Sequence, residues 1–360
     1  MVSLWHAFDL AASLGVGERG QAVPPRAAVG RSKRAPPWLR AELLGPDEVK
    51  THETAWRDLA SRALVPNLFC EPEFALTAAT HLARGQTPRF LLIFDERGHP
   101  LPRLIMLAPL LVPAFGVGEA SLWLPELILS STPLIDRHDA DAAIDALLEA
   151  IRVGPARASG LRLPRLDEGG VFAGLVRQAV ARSGREVLRF ERPARAPLRP
   201  ADCATHDGGR TVVARTPHRV REAVEHFLTI EALGPEGESG EALLLSPSAS
   251  AFLRVVTRWL ARSRRCHVEL HLKDGKPVGA DIFLRSGDEN ILWKTTGSSA
   301  SGASDDGLAS SQATAPSRAV TVDWLIAARP GKSPAILALA ARDRLSRRLR
   351  EIVKRAVRGS

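Results

Sequence analysis

The sequence predicts a mixed α/β fold built in two similarly ordered halves, and three observations carry that prediction. Two strand-like runs, Phe90-Leu-Leu-Ile-Phe94 and the stretch over 104–112, are joined by the turn Asp95-Glu-Arg-Gly98, the pattern of a hairpin. A second hairpin is spelled by 266–272 and 277–284 around Asp274-Gly275, and helical periodicity precedes the hairpin in both cases. Between the two lies Pro193-Ala-Arg-Ala-Pro197-Leu-Arg-Pro200, a Pro-rich joint that marks the domain boundary.

The elements follow in order. Residues 1–37 end in Val23-Pro-Pro-Arg and Arg34-Ala-Pro-Pro37 and read as a flexible leader. Within it, Gly15-Val-Gly17-Glu-Arg-Gly20 matches a dinucleotide fingerprint formally, but Gln-Ala-Val-Pro-Pro follows where a helix would be needed. The first half spans 38–200. Glu71-Pro72 opens a helix there, because Pro at the first helical position loses no needed N–H and Glu73 complements the dipole. Phe74, Ala78 and Leu82 share its apolar face, and Trp56, Phe69 and Phe74 are expected in the first-half core. A helix over 141–153, a strand over 160–164 and a helix over 171–183 complete that half. The second half, 201–330, has helices over 217–233 and 248–262 before its hairpin and a strand over 290–296 after it. Residues 331–360 form a basic amphipathic helix, whose dense Arg face over 342–358 either stays in water or makes weak contact with an anionic membrane.

Composition bounds function. At 360 residues the chain can bury two ordinary cores. The formal net charge is +9, but from Arg329 onward ten Lys/Arg face only Asp343 and Glu351, so the body is nearly neutral and no specific nucleic-acid partner is expected. Only seven of the 49 basic residues are Lys, an Arg bias that a GC-rich genome produces without a binding role. Cys70, Cys203 and Cys266 are far apart with no C-x-x-C, which indicates neither a disulfide framework nor zinc, and no metal is expected. The absence of a basic, apolar N-terminal signal and of a long apolar run fits a reducing cytoplasm.

Several blocks stand in a fixed order: Asn67-Leu68-Phe69-Cys70-Glu71-Pro72, then Phe227-Leu-Thr-Ile-Glu231-Ala-Leu-Gly234, Gly275-Lys-Pro-Val278, Trp293-Lys294-Thr295 and Leu325-Ile-Ala-Ala-Arg329-Pro330-Gly331. In this order the chain resembles the CelD-like (BioF-like) acyltransferases, relatives of the FemAB peptidyltransferases within the GNAT superfamily. The resemblance runs from about residue 41 to the C-terminus, with a break over about 296–319. It implies two GNAT-like halves in tandem and transfer of an acyl group from acetyl-CoA or another acyl-CoA to an amine. Some family members are associated with polysaccharide or cellulose production, which points by analogy to a sugar-derived acceptor. Two rivals stay open. FemAB-like aminoacyl transfer would draw on aminoacyl-tRNA and need a basic groove that the near-neutral body does not suit, and a catalytically decayed scaffold would keep the fold alone.

The resemblance also implies site residues. The family's pyrophosphate loop, Gln/Arg-x-x-Gly-x-Gly/Ala, is matched by Ser304-Asp305-Asp306-Gly307-Leu308-Ala309 after the strand that ends in Trp293 and Lys294. Backbone amides at a helix N-terminus attract phosphate, and glycine permits close approach. Here Ser replaces Gln/Arg, and two aspartates would repel the anion. Ser304, Gly307, Ala309, Trp293 and Lys294 are thus the cofactor-binding candidates. Glu231 stands where the family has Glu ahead of a Gly-Trp-Lys-Gly loop, read here as Gly234-Pro235-Glu236-Gly237. It is the candidate general base, against an exposed helix carboxylate as the bland reading. The chain contains no Tyr to serve as general acid. Asn67, Phe69 and Glu71 are shaping residues, with Asn67 and Glu71 expected to cap and orient the helix that begins at Pro72.

Other residues carry less. Cys70, which replaces a family Tyr, is expected to be a packed small side chain rather than a nucleophile. His267-Val-Glu269-Leu-His271 places three polar groups on one strand face, but its ends are roughly 13 Å apart at about 3.3 Å per residue, too far to share a metal, so a solvated face is expected. Gly331-Lys332-Ser333 is no P-loop, because Ile326 occupies the place of its first glycine. Finally, the Ser/Ala/Gly-rich residues 297–318 offer almost no large apolar side chain, so an incomplete second half with an open cleft and a poorly ordered segment is expected.

Overall fold

The computed structural model describes residues 36, 38–98, 101–114, 118–191, 210–297 and 321–330. The leader, the Pro-rich joint, the segment over 298–320 and the basic C-terminal region therefore lie outside the described residues, and with them the expectations placed there.

The first half contributes β1 (Leu39–Leu44), α1 (Glu53–Ser61), α2 (Pro72–His81), β2 (Arg89–Asp95), β3 (Arg103–Leu111), β4 (Glu119–Leu122), β5 (Leu134–Ile135), α3 (Ala140–Arg152), β6 (Gly160–Asp167), α4 (Val171–Ser183) and β7 (Arg185–Glu191). Local chemistry sets several of these bounds. Pro72 occupies the first turn of α2. Gly184, at φ +64°, adopts the left-handed conformation that ends α4. In β2 the alternation of a strand sends Phe90, Leu92 and Phe94 to one face and Leu91 and Ile93 to the other. Both faces are covered, which is why the strand reads as an unbroken apolar run.

The second half contributes β8 (Arg210–Ala214), α5 (Pro217–Leu233), α6 (Pro247–Arg262), β9 (Cys266–Lys273), β10 (Lys276–Ser286) and β11 (Glu289–Gly297). Both of these helices start alike. Thr216 accepts a hydrogen bond from the Arg219 N–H and Ser246 from the Ala249 N–H, each with Pro in the first turn. The described strands form an antiparallel sheet in the order β11-β10-β9-β8.

The last of the described strands, β12 (Thr321–Pro330), follows the second half in sequence but belongs to the first sheet, whose order is β1-β2-β3-β4-β6-β12-β7, with β5 paired to β3. It is antiparallel to both neighbours, with Leu325 opposite Arg162 on β6 and Leu188 on β7. The span 201–330 read from sequence as the second half thus ends in a strand that completes the first. The first sheet is mixed, through its parallel β4–β6 pair, whereas the described second sheet is wholly antiparallel.

Two cores result. Helices α3 and α4 cover one face of the first sheet, where Val322, Trp324, Ile326 and Ala328 of β12 join them. The other face is covered by α1 and α2, and its core continues without a break through α5 and α6 to Val268, Ile282 and Trp293 of the second sheet. Buried Arg185 bolts β12 in place, donating to the carbonyls of Leu148 on α3 (3.1 Å) and Ala328 (2.7 Å). Asp323 accepts from the Arg165 N–H at 2.9 Å. No helix among the described residues is long and apolar enough to cross a membrane.

A chain ending at Gly297 lacks β12 and leaves β6 and β7 each with an open inner edge. We expect it to lose the cooperative unfolding of the first half, and Ile326→Ala in the full chain to cost about 2–5 kcal/mol. Denaturation followed by circular dichroism measures both; an unaltered midpoint in the truncated chain would contradict the pairing.

Candidate functional site

The apolar stripe of α5 runs through Val220, Ala223, Val224, Phe227 and Leu228, and the next residue on that stripe is Glu231. The helix therefore carries its carboxylate into the protein, where Glu231 is only 2% exposed. The exposed-carboxylate reading is overturned, and the spacing of three and four residues from Leu228 and Phe227 is the signal that could have shown it. Its Oε2 accepts from the Leu243 N–H at 2.9 Å, and its Oε1 lies 3.6 Å from the Lys294 ammonium. Burial pushes the carboxyl above its ordinary range, opposed by the Leu243 hydrogen bond and the Lys294 charge.

Lys294 reaches Glu231 because of a β-bulge. Across β10, Ile282 pairs with Lys294 while Phe283 pairs with Leu292, so Trp293 is the extra residue. Without the bulge, Trp293 and Lys294 would point to opposite faces. With it, Lys294 shares the register position of Ile282 on the helix-covered face, and Trp293 enters the same core. The fold thus brings together Glu231 and Lys294, while Trp293 serves elsewhere. It is 2% exposed, its Nε1–H donates to the Leu127 carbonyl of the first half at 2.8 Å, and its ring packs edge-on against Phe74 and Phe252 at 5.7 and 6.2 Å. This side chain joins the halves rather than offering a surface to a cofactor. Ser304, Gly307 and Ala309 lie outside the described residues.

Asn67, Phe69 and Glu71 gather at the same seam. Asn67 Oδ1 accepts from the Phe69 N–H at 3.1 Å and caps the single turn Leu68–Cys70, while its amide donates to the Thr132 carbonyl at 2.6 Å. It caps that turn and not α2. Glu71 makes no side-chain cap either. Its carboxylate instead grips Arg265 of the second half through both oxygens, with Arg265 Nη2 to Oε1 at 2.8 Å. That partner lies 194 residues away, beyond any sequence signal. Phe69 packs edge-on against Phe74 at 5.0 Å. Phe74, expected in the first-half core, also meets Phe252 of α6 at 5.3 Å. Cys70 is packed as expected, and burial pushes its thiol up to about 12, far from nucleophilic use at neutral pH. A cleft of about 820 Å³ opens at this seam, walled by Glu71, Trp259, Arg262, Arg264 and Arg285; neither Glu231 nor Lys294 lines it.

The other face of the second sheet corrects a further expectation. His271 is buried, not solvated, with Nε2 at 2.8 Å from Asp281 Oδ2. His267 stacks flat on Phe283 at 4.8 Å. No group of three His, Cys, Asp or Glu among the described residues could hold a metal ion.

No family model matches this chain. No curated protein matches it. Among solved structures it is similar to a conserved protein of unknown function from Bacteroides thetaiotaomicron, with 10% identity over 64% of this chain and 73% of that one and a TM-score of 0.36. A tandem GNAT protein from the clavulanic acid biosynthesis pathway shares 12% identity over 71% of this chain and 79% of its own, at a TM-score of 0.33. A GCN5-related N-acetyltransferase from Sphaerobacter thermophilus shares 13% identity over 83% and 99%, at 0.23.

Two outcomes are expected from this geometry. Trp293→Phe keeps the ring but orphans the buried Leu127 carbonyl, and should cost about 1–3 kcal/mol in chemical denaturation; an unchanged midpoint would remove the hydrogen bond from the account of the seam. For Glu231 the folded pKa lies above the ordinary 4.5, so the folded chain holds its proton more tightly than the unfolded one. The stability of the parent chain relative to Glu231→Gln should therefore fall as pH rises from near 4.5 through the folded pKa, and level off above it. Paired denaturation curves across pH test the sign, and a rising difference would refute it.

Proposed function

We propose that this chain is an N-acyltransferase of the GNAT type, moving an acyl group from acyl-CoA to an amine, with Glu231 and Lys294 at its chemical centre. The observation that carries the reading is their pairing at 3.6 Å on one face of the second sheet. The resemblance in sequence assigns these two residues, 63 positions apart, to the acceptor and donor sides of one reaction. A carboxylate whose proton affinity is raised by burial is suited to draw a proton from an attacking ammonium or amine. The partly exposed Lys294 supplies a positive charge that favours the anionic donor and the oxyanion formed at the thioester carbonyl. Holding the two reactants together would provide the rest of the rate, without a covalent intermediate at this pair.

The finer parts of the proposal rest on the same resemblance. The donor is acetyl-CoA or another acyl-CoA, with its pyrophosphate at Ser304, Gly307 and Ala309. The acceptor is a small-molecule or sugar-derived amine, the latter by analogy with the family members associated with polysaccharide production, and the reaction takes place in the cytoplasm, where acyl-CoA is available. The basic residues over 342–358 would add weak contact with an anionic membrane.

A second reading, a scaffold of the same ancestry without catalysis, is favoured by the enclosure of Glu231. One of its oxygens is already taken by the Leu243 N–H. Calorimetric titration with acetyl-CoA, followed by thiol release with an amino-sugar panel, separates the two. We expect donor binding and turnover, with Glu231→Gln lowering turnover by about 10²-fold or more while donor affinity holds. Absence of donor binding would leave the scaffold, and equal turnover in the variant would remove Glu231 from the chemistry.

A further inference from the structure

The face of the second sheet opposite Glu231 and Lys294 holds a chain of three side chains, one from each of three adjacent strands. Thr211 of β8 stands directly across from His271 of β9, and Asp281 of β10 lies on the diagonal from that histidine. Gly279, the residue directly across from His271 on β10, has no side chain to fill the space between. The Thr211 hydroxyl lies 3.3 Å from His271 Nδ1, and His271 Nε2 lies 2.8 Å from Asp281 Oδ2.

Hydrogen-bond logic orders the protons. The Asp281 carboxylate accepts, so Nε2 carries the hydrogen and donates it. In the neutral ring, Nδ1 then presents its lone pair to Thr211, whose O–H donates. This is the arrangement in which a histidine draws a proton from a hydroxyl while a carboxylate fixes the ring.

Two observations set this chain apart from a tie between strands. Asp281 is wholly buried, and its Oδ1 meets no donor among the described residues. An unanswered polar atom in that position is a cost to stability, and apolar side chains would hold three strands together without it. At the other end Thr211 is an exposed residue on the edge strand of the described sheet, which puts its hydroxyl at the solvent end of the three-residue chain.

We propose that Thr211, His271 and Asp281 form a nucleophilic site that accepts acyl groups from activated esters and thioesters onto the Thr211 hydroxyl. Thr211 Oγ1 attacks the acyl carbonyl carbon and passes its proton to His271 Nδ1. The bond from that carbon to the leaving oxygen or sulfur breaks, and the imidazolium returns its proton to the departing alcohol or thiol. The product is a Thr211 ester. Water, deprotonated by the same nitrogen, then releases the carboxylic acid and restores the hydroxyl. Thr211 and His271 are the reacting groups, and Asp281 positions the ring.

The test uses the full chain and p-nitrophenyl acetate, with nitrophenol release and peptide mass mapping as readouts. The expected result is a burst of nitrophenol and an acetyl group on the peptide that carries Thr211, both absent in Thr211→Val and retained in Thr211→Ser. Valine suits an exposed strand position, so the first variant should keep its fold. Asp281→Asn should slow acylation at saturating ester at least about tenfold with little change in KM, a split that a purely structural role would not produce. An acetyl group found only elsewhere, or equal reaction in Thr211→Val, would overturn the proposal. Glu231 and Lys294 lie on the opposite face, so neither result decides whether that pair passes an acyl group from acyl-CoA to an amine.

Discussion

The two halves depend on one another through an aromatic cluster centred on Trp293. Trp293 leaves its own sheet at a bulge, places its ring among Phe74 and Phe252, and donates its indole hydrogen to Leu127 of the other half. Edge-to-face pairs of this kind add about 0.5–1.5 kcal/mol each beyond burial. Around this centre lie directional links: Glu71 to Arg265, and the Leu68 N–H to the Ser286 hydroxyl at 3.1 Å. On the first half's side, the short block from Asn67 to Phe74 supplies Leu68, Glu71 and Phe74 to these contacts, and Leu127 adds its carbonyl. The bulge that admits Trp293 to the seam also turns Lys294 toward Glu231, so docking and the candidate chemistry follow from one irregularity in one strand.

Much of this was written in local patterns. Helix α4 keeps the expected bounds of 171–183, Pro72 opens α2, and both hairpins form around their turns, because each depends on residues close in sequence. What escaped was decided at a distance. β12 was assigned to the half it follows, since nothing in its apolar run says which sheet it joins. The role of Glu71 as a cross-half anchor depended on Arg265, and the burial of His271 on a diagonal partner two strand positions away. Glu231 is a different kind of miss. Its place on the stripe of Phe227 and Leu228 was legible, but a charged residue read by its type alone suggested water.

The second sheet treats its two faces differently. Toward the helices it sets a buried carboxylate against a lysine, and both of the carboxylate's oxygens have partners. Away from them it buries a carboxylate against a histidine and leaves one oxygen unanswered among the described residues. Burying charge in this way twice in a four-stranded sheet is costly for stability, and apolar substitutes of the same size would serve the fold as well or better. The sheet is therefore shaped by demands other than its own cohesion.

The position of β12 has a consequence for how the protein comes into being. Chains leave the ribosome N-terminus first, and N-terminal domains commonly fold before the rest is made. Here the first sheet is the later one to be completed. The described second half holds all four of its strands and its two long helices once Gly297 has emerged. The first half, although made earlier, must wait for Thr321–Pro330 with the inner edges of β6 and β7 exposed. Unpaired edges of that kind recruit other chains. The nascent protein thus passes through a vulnerable interval that lasts until Thr321–Pro330 is delivered, and any delay in translation beyond Gly297 prolongs it.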